Sequence, residues 1–263
     1  MNFSATTAFL LIEKLISFAI FFETLELIQM RSVMAENGVW KWSTVKKDFE
    51  IFSKTTQKIF DWLLSYRHFL IILTIRLMAA FFLFLTPHPA FIFILFLSTV
   101  LGCLRWRGTI HGGSDFMTLI ILMALCAASL FEENSKMKTI FLWYIAIQIC
   151  TSYFIAGMIK LKKQNWRSGK ALVGIINSAI YEPSPGLQVI NQVPLLSLVG
   201  SWTVMVLECS FPLSLMNSKA CIALMALAFV FHLANGFVLG LNRFLWAWCA
   251  AYPALYYCST LQS

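Results

Sequence analysis

The strongest constraint in this sequence is a series of apolar runs that are long enough to cross a lipid bilayer. A transmembrane helix needs about 20 mostly apolar residues, and 59% of the 263 residues are hydrophobic whereas only 12% are charged. Such a composition leaves too few charges to cover a soluble domain of this size. The sequence therefore predicts an all-α, polytopic membrane helix bundle with about seven transmembrane helices, at Phe69–Leu85, Ala90–Leu104, Phe116–Phe131, Ile140–Ile159, Leu195–Leu215, Ala220–Leu239 and Phe244–Tyr257. The second and last runs are short, which predicts helices that are tilted or buried among their neighbours.

The first 66 residues have a different pattern from the rest of the chain. The stretch "FSATTAFLLIEKLISFAIFFETLEL" is apolar, but four charged residues interrupt it, so it predicts either an eighth span or an amphipathic helix lying in the membrane interface. The following stretch, "NGVWKWSTVKKDFEIFSKTTQK", alternates lysines with aromatic residues and suits a segment that rests on lipid headgroups. We therefore expect an N-terminal interfacial or juxtamembrane segment at 1–66 and a transmembrane bundle at 67–263.

The basic residues between the spans are distributed very unequally, which predicts an orientation in the membrane. If the spans alternate in direction, one side of the membrane collects thirteen basic residues and the other only Lys136, Lys138 and Lys219. The larger group is Lys41, Lys46, Lys47, Lys54, Lys58, Arg67, Arg105, Arg107, Lys162, Lys163, Arg167, Lys170 and Arg243. Because cytoplasmic loops are enriched in lysine and arginine, we expect a cytoplasmic (inner) membrane protein with its C-terminus outside.

The same charge distribution bears on possible partners. The formal net charge is +8, but the basic residues are scattered between spans, so membrane lipid and not nucleic acid is the expected partner. The seven cysteines include no C-x-x-C pair, and the four histidines have no metal-binding spacing. No metal site is predicted.

Ionisable residues inside apolar runs are the main functional candidates, because charges in hydrocarbon are costly and usually have a partner or a function. Lys160 shares a helix face with Tyr153 and Gly157, at spacings of three and seven residues. Gly157 would let another helix or a ligand approach the backbone beside the lysine. The alternative is that Lys160 only extends its ammonium group to the interface, as Lys162 and Lys163 are expected to do.

Two further ionisable residues lie well inside later spans. Glu208 must be paired or protonated to remain in an apolar environment, and a structural partnership with a lysine or a histidine is the alternative to a catalytic role. His232 shares a stripe with Asn235, Gly236 and Gly240. It is either a hydrogen-bonded packing residue or part of a site.

The stretch "RWRGTIHGGSDFMTL" and a mid-span arginine complete the set of candidates. His111 precedes two glycines, which permit close approach of the backbone to a ligand, and Asp115 lies four residues after it. Ser114 or Asp115 is expected to cap the helix that begins there. Arg76 needs a carboxylate or carbonyl partner, and Glu208 is one possibility.

Four stretches, taken in order, resemble one known family. They are "HGGSDFMTLIILMAL", "YFIAGMIKLKKQNWRSGKAL", "LECSFPLSL" and "HLANGFVLGLNRFLWAWCAAYPAL". The second is similar to the Tyr-Phe-x-(Ala/Ser)-Gly-x-x-Lys-Leu…Trp-x-x-Gly pattern of the vitamin K-dependent γ-glutamyl carboxylase-like family, the horizontally transferred transmembrane group. The resemblance covers about residues 67–257.

The resemblance implies a role for particular residues. In that family the motif lysine is regarded as the base that drives oxygenation of vitamin K hydroquinone, and the matching residue here is Lys160. Tyr153, Gly157 and Trp166 match other motif positions. A lysine near apolar walls loses hydration, which disfavours its charged form, and a neutral amine can take a proton from a hydroquinone. Glu208 or His232 could relay that proton or orient the substrate. The residues expected to bind substrate are His111, Asp115, Tyr153, Gly157, Trp166, Asn235 and Arg76.

The resemblance leaves the substrate and even the class of function open. The animal carboxylase has a large extramembrane domain for its protein substrate and works on the luminal side, whereas the charge pattern here places Lys160 near the cytoplasm. Small bacterial relatives include a factor that matures a secreted peptide toxin. We therefore expect either a membrane enzyme that modifies a small peptide or a quinone-linked substrate, or a non-catalytic immunity, export or assembly partner of a secreted peptide. On the first hypothesis, truncating a lone buried ammonium at Lys160 would leave the fold intact.

The expected orientation is testable by cysteine accessibility. Single cysteines introduced between residues 162 and 170 should react with a membrane-impermeant maleimide only after the cytoplasmic side is opened, because four basic residues there favour the cytoplasm. A cysteine at Lys219 should react in intact cells. Labelling of positions 162–170 exclusively from outside would contradict the orientation.

Overall fold

The regular secondary structure in the described part of the chain is all helical. The computed structural model describes residues 3–108, 112–132, 135–178 and 193–262, and no β-strand occurs in these ranges. The helices are α1 (Ala5–Gln29), α2 (Arg31–Met34), α3 (Trp42–Val45), α4 (Lys54–Leu63), α5 (Tyr66–Leu85), α6 (Pro89–Arg105), α7 (Gly113–Ala128), α8 (Lys136–Lys162), α9 (Gln164–Arg167), α10 (Lys170–Ile176), α11 (Pro194–Ser210), α12 (Ser218–Leu239) and α13 (Asn242–Thr260), with 3₁₀ turns at Lys46–Phe49 and Phe211–Leu215.

Within the described residues, five helical stretches are long and apolar enough to cross a membrane: α1, α5, α8, Pro194–Leu215 and α12. The predicted count of seven spans is therefore not confirmed, although a helix forms at each predicted position. Helices α6 and α7 are shorter, at 17 and 16 residues. Helix α1 is a continuous helix of 25 residues, so its length and composition suit the spanning alternative.

The ends of these helices follow from local residue chemistry. Pro194 occupies the first turn of α11, where the missing amide proton costs nothing. Pro212 lies two residues after the last residue of α11, and the chain continues as a 3₁₀ turn because proline cannot extend the α-helical hydrogen bonding. The Asn217 side chain accepts a hydrogen bond from Ala220 N at 2.9 Å and caps α12. Gly240, with φ of +67°, ends that helix in the left-handed conformation.

Backbone contacts divide the chain into two compact units. The first, here the N-terminal unit, is Phe9–Phe141, and the second, here the C-terminal unit, is Leu142–Ser263 with the first eight residues. In the N-terminal unit α6 packs between α5 and α7. In the C-terminal unit α12 packs against α13, and α11 contacts α9, α10 and α12. The expected division at residue 66 stays a prediction.

A cluster of aromatic side chains forms part of the core of the N-terminal unit and encloses an arginine. Arg105 is fully buried, and its guanidinium carbon lies 5.8 Å from the ring centroids of both Trp42 and Phe69. Its Nη2 donates to the carbonyl oxygen of Met34 at 3.4 Å. Arg105 was counted among the thirteen loop charges, and so was Arg243, which is also buried. The other eleven carry the orientation argument.

Arg76 has a different partner from the one suggested by the sequence. Its side chain is 1% exposed, and Nη2 donates to Glu23 Oε2 at 3.1 Å and to Thr99 Oγ1 at 3.3 Å. The suggestion of Glu208 as its partner is therefore wrong. Glu23 lies on α1 within the same unit, which the linear pattern of apolar runs could not show.

The buried Arg76–Glu23 pair predicts an asymmetry between single and double substitutions. Arg76→Leu should lower the melting temperature markedly, because Glu23 then loses its main cationic partner in a poorly hydrated site, a change worth roughly 3 kcal/mol. The double variant Arg76→Leu/Glu23→Leu should recover much of that loss. Thermal unfolding of the purified protein in detergent measures both. Arg67→Leu, an exposed change on the same helix, is the control. If the double variant were less stable than Arg76→Leu, the loss of stability in Arg76→Leu would not come from the Glu23 carboxylate.

Candidate functional site

The side chains that the sequence singled out on α8 form one face of that helix. Tyr153 and Gly157 are buried and Lys160 is partly exposed. Helix α8 continues to Lys162, so Lys160 belongs to its last turns and not to a loop. The next two lysines along the chain are exposed. The environment of Lys160 therefore differs from that of Lys162 and Lys163.

Lys160 and Glu208 form a close ion pair. The Lys160 Nζ lies 2.6 Å from both carboxylate oxygens of Glu208 and donates hydrogen bonds to each. The side chain of Glu208 is 5% exposed and that of Lys160 is 21% exposed. Charge-assisted hydrogen bonds of this kind are short and strong. The expectation of a lone ammonium at Lys160 is therefore wrong, because α11 brings a carboxylate to it.

An aromatic ring completes the surroundings of the lysine. The Lys160 Nζ lies 5.3 Å from the ring centroid of Trp166, within the range of a cation–π contact. Trp166 belongs to the short helix α9, which follows α8 after a single residue. The ammonium thus has a carboxylate on one side and an aromatic ring on another, while part of the side chain remains accessible.

Gly157 is the residue that lets α8 and α11 approach closely enough to make this pair. A methyl group on its Cα would lie 2.8 Å from the backbone nitrogen and Sγ of Cys209, and 2.9 Å from Cβ of Glu208. These distances are too short for any side chain larger than hydrogen. The sequence indicated that Gly157 would let a helix or a ligand approach the backbone of α8. In the structure the group that approaches is helix α11.

A second hydrogen-bonded pair lies on the same face of α8. The Tyr153 hydroxyl and the His232 Nε2 are 2.5 Å apart, and both residues are buried. The Tyr153 ring stacks on Phe211 with centroids 3.9 Å apart. The His232 ring stacks on Trp248 at 5.5 Å with an interplanar angle of 16°. His232 is therefore held in a fixed position by one hydrogen bond and by aromatic packing.

Sequence reasoning missed the aromatic residues around His232. Phe244, Trp248 and Tyr252 recur every four residues along α13, and this spacing places aromatic side chains on one helix face. Their signal was obscured because the whole segment is rich in aromatic residues. Phe211 lies in the 3₁₀ turn after α11, where neither helical nor strand periodicity applies.

The two pairs belong to the same unit but are distinct. Tyr153 and Lys160 are seven residues apart, which corresponds to about 10 Å along the helix. The prediction that Lys160, Glu208, His232 and His111 line one cavity is not confirmed for the first three, and His111 lies outside the described residues. Asn235 is half-buried, and its backbone carbonyl accepts from Gly240 and Leu241 at the end of α12.

The remaining substrate-binding candidates lie in the N-terminal unit. Arg76 and Asp115 both line a small cavity of about 20 Å³ there, together with Glu23, Thr99, Cys103 and Thr118. That volume is enough for about one water molecule. The expected capping by Ser114 or Asp115 is wrong, because α7 begins at Gly113 and its N-cap is Gly112. Both residues lie inside the first turn.

Comparison with known proteins gave one match. A family model described as the HTTM domain matches residues 117–259. The matched range includes Tyr153, Lys160, Glu208 and His232, and it begins two residues after Asp115. Comparison with curated proteins and with solved structures gave no match.

The close approach at Gly157 predicts that alanine is not tolerated there. Gly157→Ala should lower the melting temperature, because the added methyl group overlaps backbone and side-chain atoms of α11, and overpacking typically costs about 1–3 kcal/mol. Gly102→Ala is the matched control, since Gly102 is buried in helix α6 with no atom within 4 Å of the added group. It should be neutral or stabilising through helix propensity. Equal stability of the two variants in thermal unfolding would contradict the contact.

Proposed function

This chain belongs to the HTTM domain family, and on that premise we propose that it is an integral membrane enzyme in which the Lys160–Glu208 pair accepts a proton from a weakly acidic, lipid-soluble substrate. The match over residues 117–259 confirms the assignment to the HTTM family. The observation that carries the proposal is the pair itself. A buried carboxylate holds a lysine amine that is partly exposed and lies beside an aromatic ring.

The pair can act as a base because its proton can reside on either partner. When Lys160 carries the proton, the pair is an ammonium and a carboxylate. When the proton moves to Glu208, the pair is a neutral amine and a carboxylic acid, and a poorly hydrated environment disfavours separated charges. The neutral amine of Lys160 can then accept a proton from a substrate hydroxyl group. The pair gains one positive charge, and the substrate oxygen becomes anionic.

A hydroquinone is the substrate or cofactor class that fits these residues. It partitions into the bilayer and, when bound, would supply a weakly acidic hydroxyl group and two electrons, for which molecular oxygen would be the acceptor. Lys160 and Glu208 offer a proton acceptor and a donor to its hydroxyl groups. Trp166 offers an aromatic face at the same place. The His232–Tyr153 pair is a second proton-carrying group on the same helix face.

The family resemblance extends the proposal to a second substrate and to a location. The product of the reaction would modify a small secreted peptide during its maturation. The protein would reside in the cytoplasmic membrane with its C-terminus outside, as the eleven exposed or loop basic residues favour. Both statements rest on resemblance and charge distribution.

A non-catalytic role is the second candidate, and one observation favours it. Lys160 and Glu208 hydrogen-bond to each other within the protein, and so do Tyr153 and His232 through its Nε2. Such pairs can serve only to select one helix packing. An immunity, export or assembly partner of a secreted peptide would need nothing more.

Substitutions of the pair separate these functions. Purified protein is incubated with a short-chain naphthohydroquinone in air-equilibrated buffer, where dissolved oxygen is the electron acceptor, and loss of the hydroquinone is followed by absorbance. Lys160→Met and Lys160→Arg should reduce the rate by about 100-fold or more, because general-base catalysis contributes about 10²–10⁴-fold and a guanidinium stays protonated. Lys162→Ala and Lys163→Ala should retain it, since both lysines are exposed.

The folded state must be controlled in the same experiment. Lys160→Met leaves Glu208 buried and unpaired, so it should lower the melting temperature. Lys160→Met/Glu208→Leu should restore stability without restoring activity. Full activity of Lys160→Arg would contradict the base assignment. If the wild-type protein does not oxidise the hydroquinone and the stable double variant keeps its biological function, the non-catalytic role is correct.

A further inference from the structure

A long apolar groove runs along the outside of the C-terminal unit between α11 and α12. Its volume is about 740 Å³, within the range of about 300–1,000 Å³ that is typical of ligand pockets. Its lining includes Val199, Trp202, Thr203, Val206, Leu227 and Phe231. Both helices belong to candidate membrane spans. Because Val199, Val206 and Leu227 in this lining are exposed, we expect the groove to open toward the hydrocarbon of the membrane.

The length of the groove corresponds to one leaflet of a bilayer. Its lining on α11 extends from Leu198 to Ser210, which is about 18 Å along a helix. Half of the hydrocarbon core is about 15 Å thick. A single lipid acyl chain therefore matches the groove in length as well as in polarity.

One end of the groove meets a strongly basic segment. Trp202, which lines the groove, donates from Nε1 to the backbone carbonyl of Arg167 at 3.2 Å. The side chains of Lys162, Lys163, Arg167 and Lys170 are exposed, and no acidic residue occurs from 161 to 178. A hydrophobic groove thus ends at a group of positive charges.

The close packing of this basic segment on α11 is built into the backbone. Gly169 has φ of +77°, and a methyl group on its Cα would lie 2.8 Å from the backbone nitrogen of Leu198. Only glycine permits this contact. It holds the α9–α10 segment against the first turns of α11, where the groove begins, so the positions of the charges relative to the groove are determined.

We propose that this groove is a binding site for one anionic phospholipid, with an acyl chain along α11 and α12 and the phosphate group at Arg167 and Lys170. The apolar lining excludes the lipid headgroup from the groove. The basic residues at the end of the groove attract a headgroup that is negatively charged. Basic residues beside membrane spans recognise anionic headgroups in this way. The lipid comes from the membrane leaflet on the side of the basic segment.

The lipid site is separate from the Lys160–Glu208 pair. Neither Lys160 nor Glu208 belongs to the lining of the groove. The lipid proposal does not depend on the proposed enzymatic function, and either can fail alone.

Native mass spectrometry of the full-length protein in mild detergent tests the site. Delipidated protein is titrated with phosphatidylglycerol and, separately, with phosphatidylcholine of identical acyl chains. One phosphatidylglycerol should bind per chain in preference to phosphatidylcholine. Arg167→Glu/Lys170→Glu should weaken its binding by about tenfold or more, because each basic residue near an anionic surface contributes to the attraction. Val206→Trp, which fills the groove, should weaken binding of both lipids.

Matched variants show whether the effects are local. Lys219→Glu reverses an exposed charge at the other end of α12, and Ile222→Trp enlarges an exposed residue of α12 outside the groove. Both should bind phosphatidylglycerol like the wild type. Equal binding of the two lipids, or unchanged binding by Arg167→Glu/Lys170→Glu, would overturn the headgroup assignment. Unchanged binding by Val206→Trp, or a quinone and no phospholipid bound there in the protein as isolated, would overturn the site.

Discussion

The hydrogen-bonded ion pair between Lys160 and Glu208 is the interaction on which the arrangement of the C-terminal unit depends. An uncompensated charge in an apolar environment costs several kcal/mol, so the buried carboxylate of Glu208 is strongly destabilising without Lys160. The pair requires α8 and α11 to be in backbone contact, and Gly157 makes that contact possible. The close approach of α8 and α11 therefore provides both the packing contact and the ion pair, because moving the helices apart would also separate the charges.

The N-terminal unit meets the same constraint in two ways. Arg76 is neutralised by Glu23 on a neighbouring helix. Arg105 is buried against the faces of Trp42 and Phe69 and donates to a backbone carbonyl. A guanidinium group suits both environments, since it is planar, weakly hydrated and able to stack on aromatic rings. In each case the partner lies on a segment that is distant in the sequence.

The class of fold was predictable from the sequence because it depends on run length and composition alone. An apolar stretch of about 20 residues forms a helix in a bilayer whatever its neighbours are. The number of spans was less predictable, because α6 and α7 are shorter than that length. A helix that packs among other helices can be shorter than a helix that faces lipid. The count of basic residues in loops was inaccurate for a similar reason. Arg105 comes at the end of an apolar run and was therefore assigned to a loop, whereas its side chain is buried in the core.

For the site, the sequence by itself determined that Tyr153, Gly157 and Lys160 share one helix face, because helical spacing requires no tertiary contact. It also showed that Glu208 and His232 need partners, because both interrupt apolar spans. Only the tertiary structure decided that Glu208 belongs to Lys160 and that His232 belongs to Tyr153. The physical reason is that pairing depends on which helices touch and at what register. That is set by the packing of many side chains at once and is not encoded in any local pattern.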